Sequence, residues 1–167
     1  MGTGATLTGK DGHFLAARPN KWDQYQDYGH SHWYDSFLVG DGLSNVTITG
    51  AGILDGGGLS THEPKAGGGC RLIALRSCSA VTIQGLTARN GGWFTLLATN
   101  VSGLVLQDLI VHAARDAFDI VSCRCVCRVR VLIRAGAALV HTLEWLCVYI
   151  CCRPRSSVRL IFALGVC

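Results

Sequence analysis

Four segments of the chain share one shape: a short apolar strand, a small polar turn and a second strand. They are Phe37–Ile48, Ile73–Ile83, Thr95–Leu106 and Phe118–Val126. Val46, Val81, Leu104 and Val126 are the equivalent positions, separated by 35, 23 and 22 residues. A strand-rich unit of twenty-odd residues without helical periodicity predicts an all-β solenoid of stacked coils. The longer first interval leaves room for one extra loop of roughly a dozen residues.

Within the second strands, alternate residues are apolar, as in Val46 and Ile48, Val81 and Ile83, and Leu104 and Leu106. One face of each strand therefore points into the coil and the other outward. Parallel stacking lets each strand find hydrogen-bond partners in the next coil, with Gly and Ser at the corners. A set of antiparallel hairpins would need two-residue turns between alternating runs. Asp41-Gly42 and Asp55-Gly56 have the right residues, but neither joins two such runs.

Composition divides the chain near Cys127. Residues 1–127 hold nine Lys/Arg and ten Asp/Glu, whereas 128–167 hold six Arg and a single acid, Glu144. The second part has no Lys, Asp, Asn or Gln, and its Arg residues alternate with Val, Leu and Ile, a pattern that predicts no nucleic-acid surface. Two parts follow: a coiled body over 1–127, and a divergent Arg/Cys-rich apolar tail over 128–167.

Leu132–Cys152 is long and apolar enough for a helix of about twenty residues, but Arg134, His141 and Glu144 interrupt it, and no membrane span is expected; a buried helix or strand is the folded alternative. The bias favours reading the tail as a translated wrong frame or unremoved intron. It should then pack poorly and be cut first after Arg128, Arg130 or Arg134. Nine cysteines leave at least one unpaired in an oxidising compartment. Asn45-Val46-Thr47 and Asn100-Val101-Ser102 fit the glycosylation acceptor pattern, while no signal peptide is visible at the start.

Two stretches carry a family likeness. Asn45-Val-Thr-Ile-Thr-Gly-Ala-Gly-Ile-Leu-Asp-Gly-Gly-Gly58 resembles the NVTI.G.G.IDG.G segment of the polygalacturonase-like glycoside hydrolases, family 28. Ala114-Arg-Asp-Ala-Phe-Asp-Ile-Val-Ser-Cys123 is similar to that family's NTDGFDI segment, and Gly4–Gly9 to the GATL.G that ends an early coil. The resemblance covers residues 4 to 126 and implies a right-handed parallel β-helix, incomplete in this chain. It also implies an extracellular monomer without cofactor or metal that hydrolyses uronic-acid-containing, pectin-like polysaccharide with inversion.

By the same resemblance Asp116 matches the first of three active-site aspartates. Asp119 matches the second Asp of that segment, an accessory position, and the alternation places it on the outer face with Val121. Ala114, Arg115 and Ala117 depart from the family's Asn, Thr and Gly, and its GDD, GHG and RIK segments are absent. Inverting hydrolysis needs an acid and a base about 6.5–9.5 Å apart. One coil bearing candidate acids supplies only part of that machinery. The alternatives are a non-catalytic solenoid that binds polysaccharide and a pectate-lyase-like β-elimination, which needs carboxylates on successive coils.

Other patterns are weaker. His30-Ser31-His32 has metal-compatible spacing on a strand but lacks a third ligand, and Cys123-x-Cys125-x-Cys127 lacks the two-residue gap of zinc sites. Trp22, Tyr25, Tyr28, Trp33 and Tyr34 form an aromatic loop that could stack on sugar rings or pack over the end of the solenoid. Gly50–Asp55 has Asp where a dinucleotide fingerprint needs its third glycine.

Overall fold

A computed structural model describes residues 1–10, 19–59, 71–135, 138–148 and 159–163. Its elements are β1 (Thr6–Thr8), α1 (Tyr28–Ser31), β2 (Ser36–Asp41), β3 (Ser44–Thr49), β4 (Ile53–Asp55) and β5 (Arg71–Arg76). There follow β6 (Ser79–Gln84), β7 (Thr87–Arg89), β8 (Phe94–Thr99), β9 (Ser102–His112), β10 (Asp116–Val121), β11 (Arg124–Ala135), β12 (Ala138–Val148) and β13 (Arg159–Ala163). The fold is mostly β, in two sheets built of parallel strands up to β11.

The smaller sheet runs β13-β10-β8-β5-β2. In the larger, β3, β6 and the first half of β9 form one ladder, while β1, β4, β7 and the second half of β9 form another. Asp108, at φ 55°, bends β9 between the two halves and curls the sheet. The expected column is present: Val46 pairs with Val81, Val81 with Leu104, and Leu104 with Val126. Val81 and Leu104 are fully buried, and Val46 packs against the same core.

The coils turn where residues adopt the left-handed conformation, and those residues fall into register. After the strands of the smaller sheet come Gly42, Ser77, Asn100 and Ser122; after the first residue of the next strands come Asn45, Ala80 and Gly103. Gly, Asn and Ser suit these corners, whereas Ala80 holds φ 51° at a cost of about 1–2 kcal/mol. Hydrogen bonding from coil to coil continues through the corners: Gly42, Ser77 and Asn100 donate their N–H groups to the carbonyls of Arg76, Thr99 and Val121. At another edge the buried Asp55 carboxylate accepts from Arg89 Nε at 2.7 Å and Asn90 Nδ2 at 2.7 Å, tying one coil to the next.

β5, β8 and β10 of the smaller sheet each send two successive residues inward, then alternate. Leu72 and Ile73, Thr95 and Leu96, and Ala117 and Phe118 line the interior, joined by Leu75, Ala98 and Ile120. Three outward columns remain in register: Ser36, Arg71, Phe94 and Asp116; Val39, Ala74, Leu97 and Asp119; and Asp41, Arg76, Thr99 and Val121.

The described part of the tail takes the strand alternative. β11 continues in parallel on β9 as far as Arg134, past the compositional break at Cys127, and β12 then returns antiparallel to β11. The Leu132–Cys152 stretch is strand wherever it is described, and no described helix is long and apolar enough to cross a membrane. Strand pairing on both sides of β11 opposes early cleavage after Arg128, Arg130 or Arg134. β13 pairs antiparallel with β10, on the edge where a further coil would stack.

Candidate functional site

The aromatic loop does not cover an end of the stack. Residues 20–35 lie across the outer face of the smaller sheet, and two polar contacts hold them there. Arg71, fully buried, donates through its guanidinium to the carbonyls of Gly29, His32 and Asp35, and through Nε to Ser36 Oγ at 3.0 Å. The approach is close: a Cβ on Gly29 would fall 2.8 Å from a Phe94 ring carbon. Burial pushes the Asp35 carboxyl up, against the opposing charges of Arg71 and His32.

His30 makes the second contact. Its Nε2 lies 2.8 Å from Asp119 Oδ2 and its Nδ1 2.7 Å from Asp27 Oδ1. Burial pulls the imidazolium down, but the hydrogen bonds to Asp119 and Asp27 outweigh this and raise its pKa above the ordinary value. Asp119 is at 0% exposure and Asp27 at 52%, so the imidazole bridges the sheet face and solvent. Asp119 does face outward as the alternation required, but the loop covers it.

The two histidines of His30-Ser31-His32 lie in α1 and at its C-cap rather than on a strand, and they diverge. His32 Nδ1 meets Ser31 Oγ at 2.8 Å, and its ring stacks on Tyr28 with centroids 4.3 Å apart. Cys123 is buried in the core and donates to the Ala98 carbonyl at 3.3 Å, while the side chains of Cys125 and Cys127 lie outside the described residues. No cluster of three metal-binding side chains occurs among the described residues.

Asp116 opens β10, as the first residue of the strand rather than one before it. Its carboxylate is partly exposed and 3.9 Å from Arg115 Nε, whose guanidinium carbon in turn sits 4.4 Å from the Trp93 ring centroid. No acid neighbours it in register: Phe94 stands beside it on β8 and Ala163 on β13. Facing Asp119 are Leu97 and Ile161, and facing Val121 are Thr99 and Arg159.

A cleft of about 190 Å³ opens where the loop meets the C-terminal ends of β5 and β8. Arg76 lines it, with its guanidinium carbon 5.3 Å from the Trp22 ring centroid and 5.2 Å from that of Trp33. Gln26 and His30 complete the loop side, and Ser77, Thr99 and Asn100 the sheet side. The sequence singled out the two tryptophans and His30 but missed Arg76. Its signal was available: Arg76 holds the last outward position of its strand, in register with Asp41 and Thr99. No family model matches the chain, and no curated protein or solved structure matches it significantly.

Proposed function

We propose that the chain is a right-handed parallel β-helix of the polygalacturonase type, built to engage uronic-acid-containing polysaccharide but lacking most of the hydrolytic site. The likeness of 45–58 and 114–123 to the polygalacturonase-like hydrolases supports the substrate class, and the in-register parallel strands support the helix. Asp116 is the acid at the site edge.

One observation carries the loss of hydrolysis. Among the described residues, neither strand beside β10 offers a carboxylate in register with Asp116, Asp119 or Val121. An inverting mechanism requires a second carboxyl group about 6.5–9.5 Å across the cleft to activate water. Asp119 is engaged by His30 beneath the loop and is a positioning residue, not the missing base. The 167-residue chain is therefore expected to release no reducing ends from polygalacturonate above background. Hydrolysis that disappears in Asp116→Asn would overturn this account.

A second reading, a solenoid that binds polysaccharide without any catalytic role for Asp116, is favoured by the aromatic cleft around Arg76. Asp116→Asn separates the two in a binding assay. A loss of affinity for polygalacturonate places Asp116 against the chain of sugars, and unchanged affinity leaves binding to the cleft.

A further inference from the structure

We infer that the cleft around Arg76 is a binding site for the carboxylate of a single acidic sugar ring, separate from Asp116. The inference rests on the uronate reading above and adds the place where that charge is held. Arg76 is oriented by two indoles, and cation–π contact with both fixes the plane of its guanidinium before any ligand arrives. No carboxylate lies within ion-pair distance of it among the described residues, although Asp41 stands in the same column. Trp22 is held in turn by Lys21, whose Nζ lies 4.8 Å from the indole centroid.

A planar guanidinium offers a paired donor edge that matches a carboxylate, and a surface partly stripped of water strengthens the contact. Around it, Ser77, Thr99 and Asn100 present the hydroxyl and amide groups that sugar hydroxyls need. Asn100 Nδ2 already donates to Ser77 Oγ at 3.3 Å, which orients the rim. Size sets the occupant: sites for drug-sized ligands run to about 300–1,000 Å³, and a cleft of about 190 Å³ takes one ring.

The test measures binding of trigalacturonate to the full chain by titration calorimetry and indole fluorescence. Galactotriose is the neutral control, and a sulfated galactose oligomer tests whether any anion suffices. Trigalacturonate should quench indole emission and bind less tightly as salt rises, and galactotriose should bind far more weakly. Arg76→Gln should weaken trigalacturonate binding roughly tenfold to a hundredfold, and Arg76→Lys should restore only part of it. Asn100→Asp, an exposed corner change that Asp tolerates, removes one donor from the rim and adds a negative charge, so it should weaken trigalacturonate through charge repulsion severalfold more than it weakens galactotriose, with the melting curve unchanged.

Trigalacturonate binding that survives both Arg76→Gln and Asn100→Asp overturns the cleft and leaves the uronate reading standing. Absence of any trigalacturonate binding by the unaltered chain overturns both. Preference for the sulfated oligomer overturns the carboxylate assignment.

Discussion

The stacked strands and the loop across them are held together by different means. Every strand from β3 to β9 repeats the same contacts one coil further along, with an apolar column inside, a left-handed corner and a ladder of backbone hydrogen bonds. The loop over 20–35 repeats nothing. It depends on one buried guanidinium, one imidazole between two carboxylates, and an apolar cluster of Tyr28, Trp33, Trp93, Phe94 and Leu97. A periodic structure spreads its stability over many equivalent contacts, whereas the loop concentrates it in a few that a single substitution can remove. The proposed binding cleft exists only where the two meet.

The largest expected effect lies in the coils. Leu104 is fully buried between Val81 and the strand that carries Val126, so Leu104→Ala should cost about 2–5 kcal/mol, the transfer loss plus the cavity left behind. Because neighbouring coils share the column, the loss should appear in one cooperative unfolding transition followed by far-ultraviolet circular dichroism. If only the tryptophan signal shifts and the strand signal does not, the coils do not melt as a unit and the contrast with the loop fails.

A somewhat smaller and more local effect is expected at Arg71. Arg71→Met keeps the apolar stem of the side chain and removes the donors, stranding the carbonyls of Gly29, His32 and Asp35 beneath the loop. One unsatisfied buried acceptor costs about 1–3 kcal/mol, and the total stays near that range because the loop lifts away and rehydrates the three carbonyls. Protease should then cleave within 20–35 while the fragment containing β5 to β10 stays intact. Simultaneous loss of both would show that the loop is an integral part of the coil core.

The same contrast explains what the sequence disclosed. Alternation at Val81 and Ile83 and the 22–23-residue spacing are local, repeated signals, and they located the strands and their register. Asp116 and Asp119 were found through the family likeness, and the alternation placed Asp119 outward. The burial of Asp119 was not legible, because its partner His30 lies 89 residues earlier in the chain. Arg71 was missed for a similar reason: its carbonyl acceptors precede it by 36 to 42 residues and carry no side-chain signature. The compositional break at Cys127 suggested an end to the pairing, but a ladder of backbone groups tolerates changed side chains and runs on to Arg134.

The smallest effect is the most specific test of how the loop is fastened. His30 has a pKa above its ordinary value of 6.5 in the folded chain, because Asp119 and Asp27 stabilise its charged form beyond the cost of burial. A group whose folded value is raised contributes stability that is fully present below the unfolded value and lost as pH rises through the folded one. The fastening should therefore be firmest in mild acid and weaken above neutrality. It does not vanish, because the neutral imidazole still donates one hydrogen bond. Amide hydrogen exchange in α1, corrected for intrinsic rates, should speed up as pH rises through the His30 titration, while exchange in β6 and β9 shows no matching step. His30→Gln can hydrogen-bond but cannot titrate, so it should remove the step and leave α1 at its high-pH rate throughout. A step that persists in this variant would assign the titration to another group and dissociate the loop's attachment from His30.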